Sequence, residues 1–193
     1  MEFVALLRGV NVGTARKVDM RRLRALFERL GFGGVSTYIN SGNVLFSGAG
    51  RPAALRVKIE AAIKAEFWFE VAVLVKTRAQ MRGIARAIPA GWRNDDKQRT
   101  DVAYLFEEAD AAATLAKLPF NREVVGARYV KGAVIWNLDR KNYSRSRLNK
   151  LIGSELYGAM TLRNVNTARV LAGRVAGAAA GRDRNGRGSA PAR

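Results

Sequence analysis

Apolar residues along this chain switch from strand period to helix period and back in one fixed order, and the order runs twice. The first strand, Phe3–Arg8, sets Phe3, Ala5 and Leu7 against Val4 and Leu6, so both of its faces are apolar. Asp19 can cap a helix in which Met20, Leu23, Leu26, Phe27 and Leu30 recur at helical spacing, and Gly31 stops it. Val35–Asn40 and Asn43–Phe46 read as strands joined through Ser41-Gly42. Pro52 opens a second helix with a stripe of Leu55, Ile59, Ala62 and Ile63, and Val71–Lys76 is the fourth strand. The order is β-α-β-β-α-β.

A capping box, Thr77-Arg78-Ala79-Gln80, then starts a bridging helix to about Ile88, and polar Pro89–Arg99 reads as a linker. The pattern resumes with a strand at Asp101–Phe106 and a helix at Asp110–Leu118. Paired strands follow at Glu123–Val130 and Ala133–Asn137, then a helix at Ser144–Ile152, a strand at Met160–Arg163 and a last helix from Thr167. The fold class this predicts is α+β: two tandem ferredoxin-like (βαββαβ) plaits with antiparallel sheets, a C-terminal helix and a disordered basic tail. The expected division is residues 1–80, a bridge at 81–99, a second half at 100–172 and a tail at 173–193. The strand at Val71–Lys76, like the first, is apolar on both faces. Each sheet is therefore expected to be covered twice, which disfavours an open RNA-binding platform.

The 193 residues include neither histidine nor cysteine, which removes disulfides, soft-metal sites and the commonest nucleophile–base pairs. The sixteen Asp and Glu residues form no catalytic or EF-hand spacing, and no cofactor or metal is called for. No apolar run approaches the ~20 residues of a spanning helix, and the start is wrongly charged for a signal peptide. A cytoplasmic protein with no membrane partner is the expectation. Net charge is +18, with +7 from residues 1–80, +7 from 81–172 and +4 from the tail. Such a balance attracts polyanions, although an Arg/Ala/Gly-rich composition produces it equally well.

Three polar segments stand at strand ends. Arg8-Gly9-Val10-Asn11-Val12-Gly13 offers a donor fork and an amide beside two glycines, but it is neither a dinucleotide fingerprint nor a Walker loop. Tyr38-Ile39-Asn40-Ser41-Gly42-Asn43 suits a tight turn for its own geometry; Asn40, Ser41 and Asn43 could equally share a groove with Arg8. In Thr161-Leu162-Arg163-Asn164-Val165-Asn166-Thr167, Asn164, Asn166 or Thr167 can cap the last helix, with Arg163 beside its anion-attracting end. Upstream, Arg140–Lys150 carries five basic residues, Arg145 and Arg147 among them, and no acid between Asp139 and Glu155. It is the strongest anion-binding signal in the chain, and a solvated charged face is the plainer reading.

Taken in order, Leu6–Gly13, Tyr38–Val44, Ser144–Leu148 and Arg163–Thr167 resemble the bacterial family called domain of unknown function 1697. The resemblance implies ferredoxin-like halves and brings no established activity. Two departures show: the family pattern has a tryptophan where Val165 stands and a threonine where Leu162 stands. If that tryptophan stacks on a ligand, this chain binds differently.

The leading expectation is a binding protein for an anionic ligand, nucleic acid or a nucleotide, held by Arg140–Lys150, Arg163 and Arg8. The rival is an enzyme stabilising a developing anion in a groove of Arg8, Asn11, Ser41, Asn43, Arg163 and Asn166. That rival needs the segments to converge. A third reading is structural or oligomeric, with the motifs acting as turns and caps.

Overall fold

The computed structural model describes residues 1–14 and 16–174, so the expected tail lies, apart from Gly173 and Arg174, outside the described residues. The chain is mixed α+β, with two four-stranded antiparallel sheets and six α-helices among the described residues. The first half runs β1 (Glu2–Leu7), α1 (Met20–Arg29), β2 (Gly33–Tyr38), β3 (Asn43–Ser47), α2 (Pro52–Phe67) and β4 (Val73–Thr77). The second runs β5 (Gln98–Leu105), α4 (Thr114–Lys117), β6 (Gly126–Val130), β7 (Ala133–Asp139), α5 (Glu155–Gly158) and β8 (Met160–Asn164). Helix α3 (Arg78–Arg86) follows the first sheet and α6 (Val165–Gly173) the second. Strand orders are β2-β3-β1-β4 and β6-β7-β5-β8, the same path taken twice.

Three apolar layers follow from the two-faced strands. On one face of the first sheet, Phe3, Ala5, Leu7, Val44 and Phe46 pack on Leu23 and Phe27 of α1 and Ile59 and Ile63 of α2. On the other, Val4, Leu6, Leu45 and Leu74 meet Val102, Tyr104 and Ile135 of the second sheet, with Met81 and Ile84 of α3 and Val165, Ala168 and Leu171 of α6. The outer face of the second sheet packs Ala103, Leu105, Val134 and Trp136 on Leu118, Phe120 and Leu151. The two halves thus share the middle core. Each sheet has both faces covered, as the doubly apolar β1 and β4 require.

Local signals decide most boundaries. Asp19 accepts from the N–H groups of Arg21 (2.8 Å) and Arg22 (2.9 Å) at the start of α1. Thr77 and Gln80 form both bonds of the capping box that opens α3. Three expectations fail. Ser144–Ile152 is not a helix but short 3₁₀ turns at Ser144–Ser146 and Leu148–Lys150, after another at Arg140–Asn142. Arg147 takes φ 61 between them, and the Ser146 hydroxyl donates back to the Tyr143 carbonyl at 2.6 Å, which competes with helix propagation. The helix expected at Asp110–Leu118 shrinks to α4. Asp110 leaves helical geometry at ψ 67, and its carboxylate caps the β6–β7 turn through the Gly132 N–H (2.7 Å) and the Tyr129 hydroxyl (2.9 Å). The strand expected from Glu123 starts only at Gly126. The segment read as a linker is also tied down: Trp92 packs on the middle core, and its carbonyl accepts from Arg169 at 3.1 Å.

Candidate functional site

β1 ends at Leu7, and Arg8 follows it on the boundary between the halves. Its Nε donates to the Met160 carbonyl (3.1 Å) and its Nη2 to the Tyr157 carbonyl (3.2 Å), with the guanidinium 5.4 Å over the Tyr157 ring. Arg163 makes the reverse connection from β8. It is opposite Val102, so its side chain points into the middle core, and it is only 8% exposed. Its Nη2 donates to the carbonyls of Leu7 and Ser41, both at 2.9 Å, and its Nε to Asn43 Oδ1 at 2.5 Å. Its Nη1 donates to Thr161 Oγ1 (3.0 Å) and the Leu162 carbonyl (2.7 Å). Burial lowers the guanidinium pKa to about 10, with Tyr104 opposing, so the group stays charged at neutral pH. Burial likewise pushes the Tyr104 phenol up, with Arg163 opposing. No carboxylate among the described residues meets Arg163; five neutral oxygens share its charge.

Asn43 explains why the second segment is polar. It is fully buried, and while Oδ1 takes the arginine, its Nδ2 donates to the Tyr38 carbonyl (3.0 Å) and Ser41 Oγ (2.9 Å). Gly42 holds this turn against β1 at φ 69. A Cβ there would stand 2.6 Å from Val10 Cγ2 and 2.7 Å from Leu7 Cβ. Asn11, at φ 56, links the first two segments: its Nδ2 donates to the Val18 and Asn40 carbonyls, each at 2.9 Å, and its Oδ1 accepts from the Val18 N–H at 2.8 Å. Asn40 is exposed beside it.

The first, second and third segments therefore meet, through Arg8, Asn11, Asn40, Ser41, Asn43 and Arg163. The other four candidates do not join them. Asn164 caps α6 by accepting from the Thr167 N–H at 2.9 Å, and Asn166 turns out to the Asn94 carbonyl at 3.1 Å. Arg145 and Arg147 are exposed on the 3₁₀ turns; Arg145 comes within 3.9 Å of Glu123, and Arg147 has no side-chain bond among the described residues.

The family model described as protein of unknown function (DUF1697) matches residues 1–136. The chain belongs to the DUF1697 family. No curated protein matches it. Among solved structures, this DUF1697 chain is similar to the conserved bacterial protein SP0830 from Streptococcus pneumoniae. The TM-score is 0.77 at 26% identity, over 89% of this chain and 96% of that one. The departure at Val165 falls on a fully buried position in the middle core, where the side chain packs among Val102, Tyr104 and Leu171, and Leu162 packs on the outer core.

One polar residue of this DUF1697 chain has no place among the motif segments. Lys76 on β4 pairs with Val4 and continues the Leu74 face, so its side chain enters the space between the halves and is 7% exposed. Its amine lies under Gly132, where an added Cβ would come within 3.0 Å of Nζ, and it makes no hydrogen bond or ion pair among the described residues. Burial lowers its pKa; Asp110 and Glu107 oppose this and Lys131 adds to it. The sequence does carry a signal for it: a lysine at the apolar period of a strand.

Proposed function

We propose that this is a binding protein for an anionic ligand, with nucleic acid the favoured class, built from two tandem ferredoxin-like plaits. The repeated strand order supports the plaits, since each half has its first and third strands central and its two helices on one face. For binding, the observation that carries most weight is a division among the cations. Arg8 and Arg163 are consumed by the protein's own carbonyls, whereas Lys141, Arg145, Arg147 and Lys150 lie exposed along successive 3₁₀ turns. Among these four, the one ion pair within the described residues is the 3.9 Å approach of Arg145 to Glu123. Exposed cations along a turn suit a polymer of phosphates better than an enclosed nucleotide.

The test is the affinity for a short duplex as a function of salt. Log K should fall linearly with log salt, and Arg145→Ala with Arg147→Ala should flatten the slope by about 2, near 0.9 for each phosphate no longer neutralised. An unchanged slope refutes the reading. A second reading, that the polar motifs are structural, is favoured by Arg163 itself: a guanidinium with five protein acceptors has no donor left over for a substrate.

A further inference from the structure

A cleft of about 240 Å³ opens between the two halves, and Lys76 lines it. From the first half come Arg56 of α2 and Gln80 of α3; from the second come Leu105, Glu107, Asp110 and Lys131. The charges around it are unequally committed. Asp110 gives Oδ1 to Gly132 and Tyr129, and Oδ2 lies 3.0 Å from Lys131 Nζ. Arg56 Nε has no hydrogen bond and is 3.7 Å from Glu60 Oε2. Lys76 makes no hydrogen bond or ion pair among the described residues, with Asp110 and Glu107 acting on it only at longer range, although more than nine-tenths of it is buried. A buried ammonium without an acceptor is costly, so this environment favours the free amine. A free amine beside an open cleft is a nucleophile.

We propose that Lys76 is a reactive amine that condenses with a small aldehyde or ketone entering this cleft, and that Arg56 receives an anionic group on the same molecule. The nitrogen lone pair forms the C–N bond at the carbonyl carbon. The two protons of the amine leave with the carbonyl oxygen as water as the second C–N bond forms, so the product is an imine and nothing is oxidised or reduced. The mixed lining fits: Lys131 and Asp110 neutralise one another, Arg56 with its unbonded Nε is the cation left to meet an anionic group, and apolar Leu74 and Leu105 limit the water around the nitrogen. The volume admits roughly eight waters, at about 30 Å³ each, and hence a ligand of few carbons.

Reductive trapping tests this on the full chain. Glyoxylate with cyanoborohydride at pH 7, followed by peptide mapping, should modify Lys76 at least tenfold faster than the exposed Lys141 and Lys150. Unfolding in urea should erase that advantage. Arg56→Gln should slow trapping by glyoxylate and leave trapping by uncharged propanal unchanged, and Lys76→Arg, checked for folding by circular dichroism, should remove the fast adduct. A rate at Lys76 equal to or below that of the exposed lysines overturns the proposal; an equal loss with both aldehydes in Arg56→Gln overturns the role of Arg56.

Discussion

Two buried basic side chains flank β1 in the same inter-sheet space, and they are treated in opposite ways. Arg163, reaching across to β3, is 8% exposed and donates five hydrogen bonds to neutral oxygens; Lys76, on β4, is 7% exposed and donates none within the described residues. Equal burial with unequal partnering separates structure from availability. A delocalised guanidinium can be satisfied by a fork of carbonyls, and in return it holds Leu7 and Ser41 of one half to β8 of the other. With Arg8 donating the other way to Tyr157 and Met160, the halves are joined by a reciprocal pair of arginines. The lysine contributes no such join, which leaves its amine to an incoming molecule.

Removing the partnered cation should have the largest effect. Arg163→Met orphans Asn43 Oδ1, the buried carbonyl of Leu7 and the half-buried one of Ser41, at about 1–3 kcal/mol for each buried group left unsatisfied. A loss of about 3–5 kcal/mol in urea unfolding is expected. Arg163→Lys should recover only part of it, because an ammonium has three donors and no planar fork. Next comes Gly42→Ala. A Cβ at φ 69 and within 2.7 Å of both Val10 and Leu7 would push the turn off β1 and carry the Ser41 carbonyl from Arg163. About 2–4 kcal/mol should be lost, from backbone strain plus overpacking. An alanine tolerated there would break the claim that the turn must lie this close.

Lys76→Met should change stability in the other direction, raising it by about 1 kcal/mol at pH 7, because it removes a buried amine that the fold holds without an acceptor. The sign follows from the lowered folded-state pKa. Between that value and the unfolded 10.5 the unfolded chain binds the extra proton, so wild-type stability rises with pH across this window. The advantage of Met should therefore shrink as pH approaches 10.5, which parallel urea titrations at two pH values would show. The smallest effect on folding belongs to Arg145→Ala with Arg147→Ala, within about 0.5 kcal/mol, because both side chains are exposed.

Much of this is legible in the chain itself. Phe3–Leu7 and Val71–Val75, apolar on both faces, announce sheets covered twice, and Asp19, Pro52 and the Thr77–Gln80 box mark three helix starts because capping chemistry is local. The motif segments show for the same reason, as clusters of donors at strand ends. Their use is hidden: that Arg163 spends its donors on Leu7, Ser41 and Asn43 depends on contacts more than a hundred residues apart. The segment from Ser144 mimics a helix because Leu148, Leu151 and Ile152 recur at helical spacing behind two serines able to cap, while the Ser146 back-bond and the positive φ of Arg147 leave no plain trace. Lys76 is easily passed over because a lysine ending a strand usually points to water. Here a second sheet lies where water would be.

The comparison is tested most directly by measuring urea unfolding of Arg163→Met and Lys76→Met side by side at pH 7. Opposite signs are expected, a loss of about 3–5 kcal/mol for the first and a gain of about 1 kcal/mol for the second. A stable Arg163→Met, or a Lys76→Met destabilised to a similar degree, would contradict the division between a basic group that holds the halves together and one left without a hydrogen bond between them.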